Sequence, residues 1–184
     1  MQERRSCVMG SLIPSKTLVK DIEYSELDYM EDRMIAIQNR IGNPEGIEVK
    51  RFGNALCLYS KTMPWGAFNT VKGITNDDLH YLNPIMNFYR ERDRKIQFEI
   101  VPSLVNEDFL KLLSDLGFYQ SGFHTSTYVE PHIFNDQLPE HISIQELRED
   151  QFETYALIHC RGTGLPDNGI APVAANNKVV GSSS

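Results

Sequence analysis

Apolar residues recur at alternating three- and four-residue spacing over residues 25–41, as Leu27, Met30, Met34, Ile37 and Ile41. That spacing draws one stripe down a helix. Ser25 reads as its N-cap, with Glu26 and Asp28 in the first turn, where acids suit the helix dipole. The run Gly42-Asn43-Pro44-Glu45-Gly46 stops the helix and turns the chain. The period then changes to two. Residues 47–52 and 56–63 read as strands joined by a Gly53-Asn54 hairpin turn. Pro64-Trp65-Gly66 breaks the second of them, and residues 67–74 read as a third strand.

A helix is expected within residues 76–92, with Leu79, Leu82, Met86 and Tyr89 inward. Thr75 and Asp78 resemble a capping box, and Pro84 marks a second helix start or a kink. Residues 95–101 alternate as Ile96, Phe98 and Ile100, a strand ended by Pro102. A short helix follows from the Asn106 cap to Leu116, with Phe109, Leu112, Leu113 and Leu116 inward and Gly117 as terminator. Residues 118–129 read as a hairpin. A linker with Pro131 and Pro139 leads to a strand over 141–147 and a helix over 150–160, and Gly162, Gly164, Pro166 and Gly169 mark loop. The domain boundaries are an arm over 1–23, a domain over 24–130, a linker over 131–140, a strand–helix segment over 141–180 and a tail over 181–184.

Charge narrows the classes of partner. The 184 residues carry a formal net charge of -7 with no basic stripe, which argues against a nucleic-acid backbone. No apolar run approaches the ~18 residues of a membrane span, so the expectation is a cytoplasmic protein. Cys7, Cys57 and Cys160 are odd in number and widely separated, and read as reduced structural thiols. His80, His132, His141 and His159 lack metal-ligand spacing, so no metal site is predicted. Arg90, Arg92, Arg94 and Lys95 read as a solvated helix end. His124 beside Thr125 and Ser126 hints at a nucleophile, but no orienting acid or oxyanion hole accompanies it. No catalytic residue is assigned. Tyr59, Trp65 and Phe68 are the candidate lining of a substrate pocket.

The stretch from Asn106 to Phe118, NEDFLKLLSDLGF, is similar to the signature helix of the GNAT superfamily of N-acetyltransferases, in which Leu112, Gly117 and Phe118 match. The strand before it and the hairpin expected after it stand in the family's order. The resemblance implies an α/β fold of the α+β kind: a mixed, mostly antiparallel twisted sheet flanked by helices. It also implies acyl transfer from acetyl-CoA to an amine on a small molecule or peptide. Residues 141–177 resemble the opening strand and helix of a second such domain, which makes the first a degenerate member of a tandem pair cut short within its second half.

In the family a glycine-rich loop before the long helix cradles the cofactor's diphosphate on backbone N–H groups. Here that position reads Lys72-Gly73-Ile74-Thr75-Asn76-Asp77-Asp78, with one glycine and two acids. The tyrosine that protonates the departing thiolate in many relatives is replaced by Leu113, which donates no proton. The resemblance therefore implies a non-catalytic domain that binds no acyl-CoA. Asn69, Val71 and Gly73 are the candidate cofactor contacts if some binding persists. The alternatives are a self-standing binding or interaction module, dimeric through a sheet edge, and a degenerate domain that still takes acyl-CoA on strand backbone.

Overall fold

The computed structural model describes residues 14–129 and 141–181. Cys7, His132, the 131–140 linker and residues 182–184 lie outside them.

Helix α1 spans Lys16–Gln38 and strands β1 and β2 span Ile47–Phe52 and Ala55–Ser60. Strand β3 is Val71–Lys72, α2 is Leu82–Arg90, α3 is Glu107–Asp115, α4 is Phe152–Thr163 and α5 is Ile170–Gly181. The strands form one antiparallel sheet in the order β1-β2-β3. The class is α+β.

β2 is buried along its whole length because helices cover both faces of it. Ala55, Cys57 and Tyr59 meet α2 and α3 through Leu82, Ile85, Phe88, Tyr89, Phe109 and Leu113. Leu56 and Leu58 point the other way, with Ile47 and Met63, into the α1 stripe of Leu27, Met30, Met34 and Ile37. This is the period-two rule of a strand read against the 3.6-residue rule of its covering helices. Tyr89 stitches α2 to the sheet: its hydroxyl lies 2.9 Å from the Leu58 carbonyl and 2.8 Å from that of Thr70.

Several boundaries move from their predicted places. α1 begins at Lys16, capped by Ser15, whose hydroxyl accepts from the Leu18 N–H at 3.0 Å. Pro14-Ser15 is a helix start, not part of a loose arm, so residues 16–23 are helical and Ser25 is interior. Ile41 is fully exposed because the helix has already ended at Gln38. The predicted 76–92 helix divides into a 3-10 turn, Asn76–Tyr81, and α2. The tighter turn shifts the phase, leaving Leu79 partly exposed and bringing Ile85 and Phe88 inward. Pro84 sits in the first turn of α2, where its missing N–H has no intrahelical role. Asn106 caps α3 as expected, accepting from the Phe109 N–H at 2.9 Å, and Gly117 ends it at φ +86°. Leu112 and Leu116 stay partly exposed.

The predicted third strand shortens to two residues. Residues Gly66–Phe68 coil into a 3-10 turn, and the predicted 95–101 strand touches β3 through one parallel bridge, Val71 to Phe98. Ile96, Phe98 and Ile100 still pack on the α2–α3 core. No hairpin forms over 118–129 and no strand over 141–147, where side chains such as Phe123 and Ile144 face solvent. An isolated hairpin is marginal in water. α5 was hidden by the Gly162–Gly169 punctuation and by its own weak apolar pattern. It packs on α4 and α1, and its buried Asn176 meets the Arg40 guanidinium and the Met63 sulfur. Through α5, the α4–α5 helix pair contacts α1. Among the described residues, no helix is long and apolar enough to cross a membrane.

Cys57 is fully buried, and burial pushes its thiol up to about 12. Thiolates are the species that alkylate. Iodoacetamide at pH 8 is thus expected to leave Cys57 unmodified in the folded protein and to label it only after denaturation, read by peptide mass spectrometry.

Candidate functional site

The loop that follows β3 lies against the β1–β2 turn, and its side chains close on each other. Gly53 takes φ +62° at the first central position of the hairpin turn. A Cβ there would come within 2.2 Å of Asp78 Oδ1, so the turn and the loop touch. Asp78 is almost completely buried. Its Oδ1 accepts from the Asn54 N–H at 2.9 Å, and its Oδ2 accepts from the Thr75 N–H at 2.9 Å and the Thr75 hydroxyl at 3.0 Å. The Thr75 hydroxyl in turn accepts from the Asp77 N–H at 3.3 Å, and the Asp78 N–H donates to the Thr75 carbonyl at 3.1 Å. The predicted capping box is present in full. Gly73, at φ +68°, lies under Leu27, which leaves 2.7 Å for any Cβ.

The residues proposed as cofactor contacts have structural partners. Asn69 accepts from the Ser60 N–H at 3.0 Å and donates to the carbonyls of Met63, at 2.6 Å, and Trp65, at 3.0 Å. It holds the 3-10 turn to the end of β2. The Val71 N–H donates to Gln97 O at 2.9 Å, and its carbonyl accepts from the Glu99 N–H at 2.8 Å. The Gly73 N–H faces the Glu23 carboxylate.

Tyr59, Trp65 and Phe68 do not converge. Tyr59 is buried against Phe88 on the α2 face of the sheet, with Arg92 and Arg94 over its ring. Phe68 packs on the α1 side, edge-on to a partly exposed Trp65 and under Arg33. The sheet separates the two groups.

A charged cluster that sequence reasoning passed over lies beside this loop. Lys72 is 4% exposed, and its ammonium donates to Glu26 Oε1 at 2.6 Å and Glu99 Oε2 at 2.7 Å. Burial pulls the Lys72 pKa down, but these two bonds outweigh it and hold it above the ordinary value. Glu23, one turn before Glu26, is 9% exposed, and its Oε1 has no hydrogen-bond partner among the described residues. Burial raises its pKa, with Lys72 acting in the opposite direction. The available signal was a lysine directly after apolar Val71 and a glutamate between Phe98 and Ile100.

Where the chain after β3 parts from the chain after residue 101 there is an open cavity of about 360 Å³. Lys16, Lys20, Glu23, Asp77 and Ser103 are in its wall, so basic and acidic side chains offset each other. No family model matches the chain, and no curated protein or solved structure is significantly similar to it.

Proposed function

We propose that this chain is a non-catalytic module with a GNAT-like element order, a supporting half of an acyl-transfer enzyme whose parent reaction moves an acetyl group from acetyl-CoA to an amine. The reading rests on the resemblance of residues 106–118 and on the order of elements from α1 to α3, since the strands expected beyond α3 do not form. The two-residue β3 with its parallel bridge to Phe98, flanked by α2 and α3, is consistent with it.

One observation carries the non-catalytic part. The N–H groups of Thr75, Asp77 and Asp78, which a diphosphate would need, already donate to oxygens of Thr75 and Asp78. An anion arriving there would have to displace a buried carboxylate and meet the negative charge of Asp77. Leu113, buried in the core at the position of the expected proton donor, supports the same conclusion.

Isothermal titration of acetyl-CoA into the protein is expected to give no saturable heat up to millimolar ligand. A micromolar Kd would overturn the reading and restore the degenerate but binding-competent alternative.

A further inference from the structure

We infer that the cavity between α1 and the loop after β3 binds a small zwitterion, with its ammonium on the Glu23 carboxylate and its anionic group on Lys16 and Lys20. At about 360 Å³ the cavity lies at the lower end of the range for small-molecule sites. Both ends of the ligand follow from the charges in its wall.

The inner end is Glu23. It is part of the cavity wall, yet the residue is only 9% exposed. Its Oε1 is buried with no hydrogen-bond partner among the described residues. The Lys72 ammonium does not meet that need, because its two short bonds go to Glu26 and Glu99. A carboxylate oxygen left bare in this way is costly, and a cationic donor entering from the cavity relieves it.

The outer end is Lys16 and Lys20. They stand one turn apart on α1, and Glu23 follows about one turn further on the same side of the helix. Both lysines are exposed, and neither makes an ion pair among the described residues. From the helical rise, Glu23 lies roughly 4.5 Å along the axis from Lys20 and about 10 Å from Lys16. Exposed cations and a buried carboxylate thus follow one another along one wall. Asp77 is the fourth charge of the wall, so its cations and anions balance. A ligand with one charge of each sign keeps that balance, and a simple amine or a simple acid does not. Tyr24 and Leu104 add apolar surface that suits a short aliphatic spacer between the two charges. The inference does not rest on the acyl-transfer reading, since it uses neither the loop's backbone donors nor a second domain.

The test is an amide-resolved ¹H–¹⁵N titration of the full chain with 4-aminobutyrate and 6-aminohexanoate, with butylamine and butyrate as singly charged controls. Saturable shifts are expected at Glu23, Tyr24 and Gly73 with at least one of the two zwitterions, and each control should bind at least tenfold more weakly. Glu23→Gln keeps the size of the side chain and removes its charge, and should weaken binding at least tenfold. Lys16→Ala with Lys20→Ala changes two exposed side chains and tests the outer end with the core untouched; it should reduce the affinity of the zwitterion to that of butylamine. Absence of saturable shifts up to high millimolar zwitterion overturns the assignment. So does butylamine that binds as tightly as the zwitterions, or binding that Glu23→Gln leaves unchanged.

Discussion

Lys72→Met is expected to lower the unfolding free energy by about 3 kcal/mol at pH 7, toward the low end of the range for breaking a buried ion pair. The methionine fills the volume of the lysine stem but removes the ammonium. Glu26 and Glu99 then lose their short bonds, and Glu23 loses the charge that offsets its burial. The side chains of Glu26 and Glu99 are 30% and 26% exposed, so water recovers part of the loss. The pH dependence has a definite sign. Without the ammonium, the burial that already raises the folded-state Glu23 pKa is no longer opposed by Lys72. The stability that Glu23 contributes is then fully present below its unfolded pKa, near ~4, and is lost as pH rises through its folded one. Urea denaturation at pH 4 and pH 7 should therefore find the variant nearer to wild type in acid. A gap that is equal or wider at pH 4 would show that the cluster is not held by Lys72.

Asp78→Ala is expected to cost about 3–4 kcal/mol, from two charge-assisted hydrogen bonds at roughly 1.5–3 kcal/mol each, partly offset by water entering the site. The substitution strips the acceptor from two backbone N–H groups, those of Asn54 and Thr75, and separates the hairpin turn from the loop after β3. Asp78→Asn keeps one acceptor oxygen and should fall between the alanine variant and wild type. Denaturation midpoints measure both. A loss below about 1 kcal/mol for Asp78→Ala would mean that the latch between turn and loop contributes little beyond an ordinary helix cap.

The parts of the fold that could be read from sequence are those in which local pattern and tertiary packing agree. The α1 stripe from Leu27 to Ile37, the Gly53-Asn54 turn, the Thr75–Asp78 box and the Asn106 and Gly117 ends of α3 were each marked by a local pattern, although α1 is capped by Ser15 and not by Ser25. The failures have a common cause. Residues 95–101, 118–129 and 141–147 have alternating or β-rich sequences, but a strand needs a partner edge. Here Val71 offers a single bridge and the other two segments pair with no strand among the described residues. α5 failed in the opposite direction: Ala, Asn and Val in close succession give little amphipathic signal, and its position depends on contacts with α1, which lies far away in sequence. For the site, Asp77 and Asp78 were legible as capping acids because their spacing from Thr75 is local. The Glu23–Glu26–Lys72–Glu99 cluster was not, because its members meet only when α1 crosses the end of β3.

The central claim is that the Thr75, Asp77 and Asp78 backbone donors of the loop after β3 are already taken by oxygens of Thr75 and Asp78. The most direct measurement is an amide-resolved ¹H–¹⁵N titration with acetyl-CoA, following Gly73, Thr75, Asp77 and Asp78. The account predicts that these four resonances stay in place at millimolar ligand and that the Thr75 and Asp78 amides exchange slowly with solvent. Saturable shifts centred on these residues would contradict it, since the loop would then be offering those donors to the diphosphate.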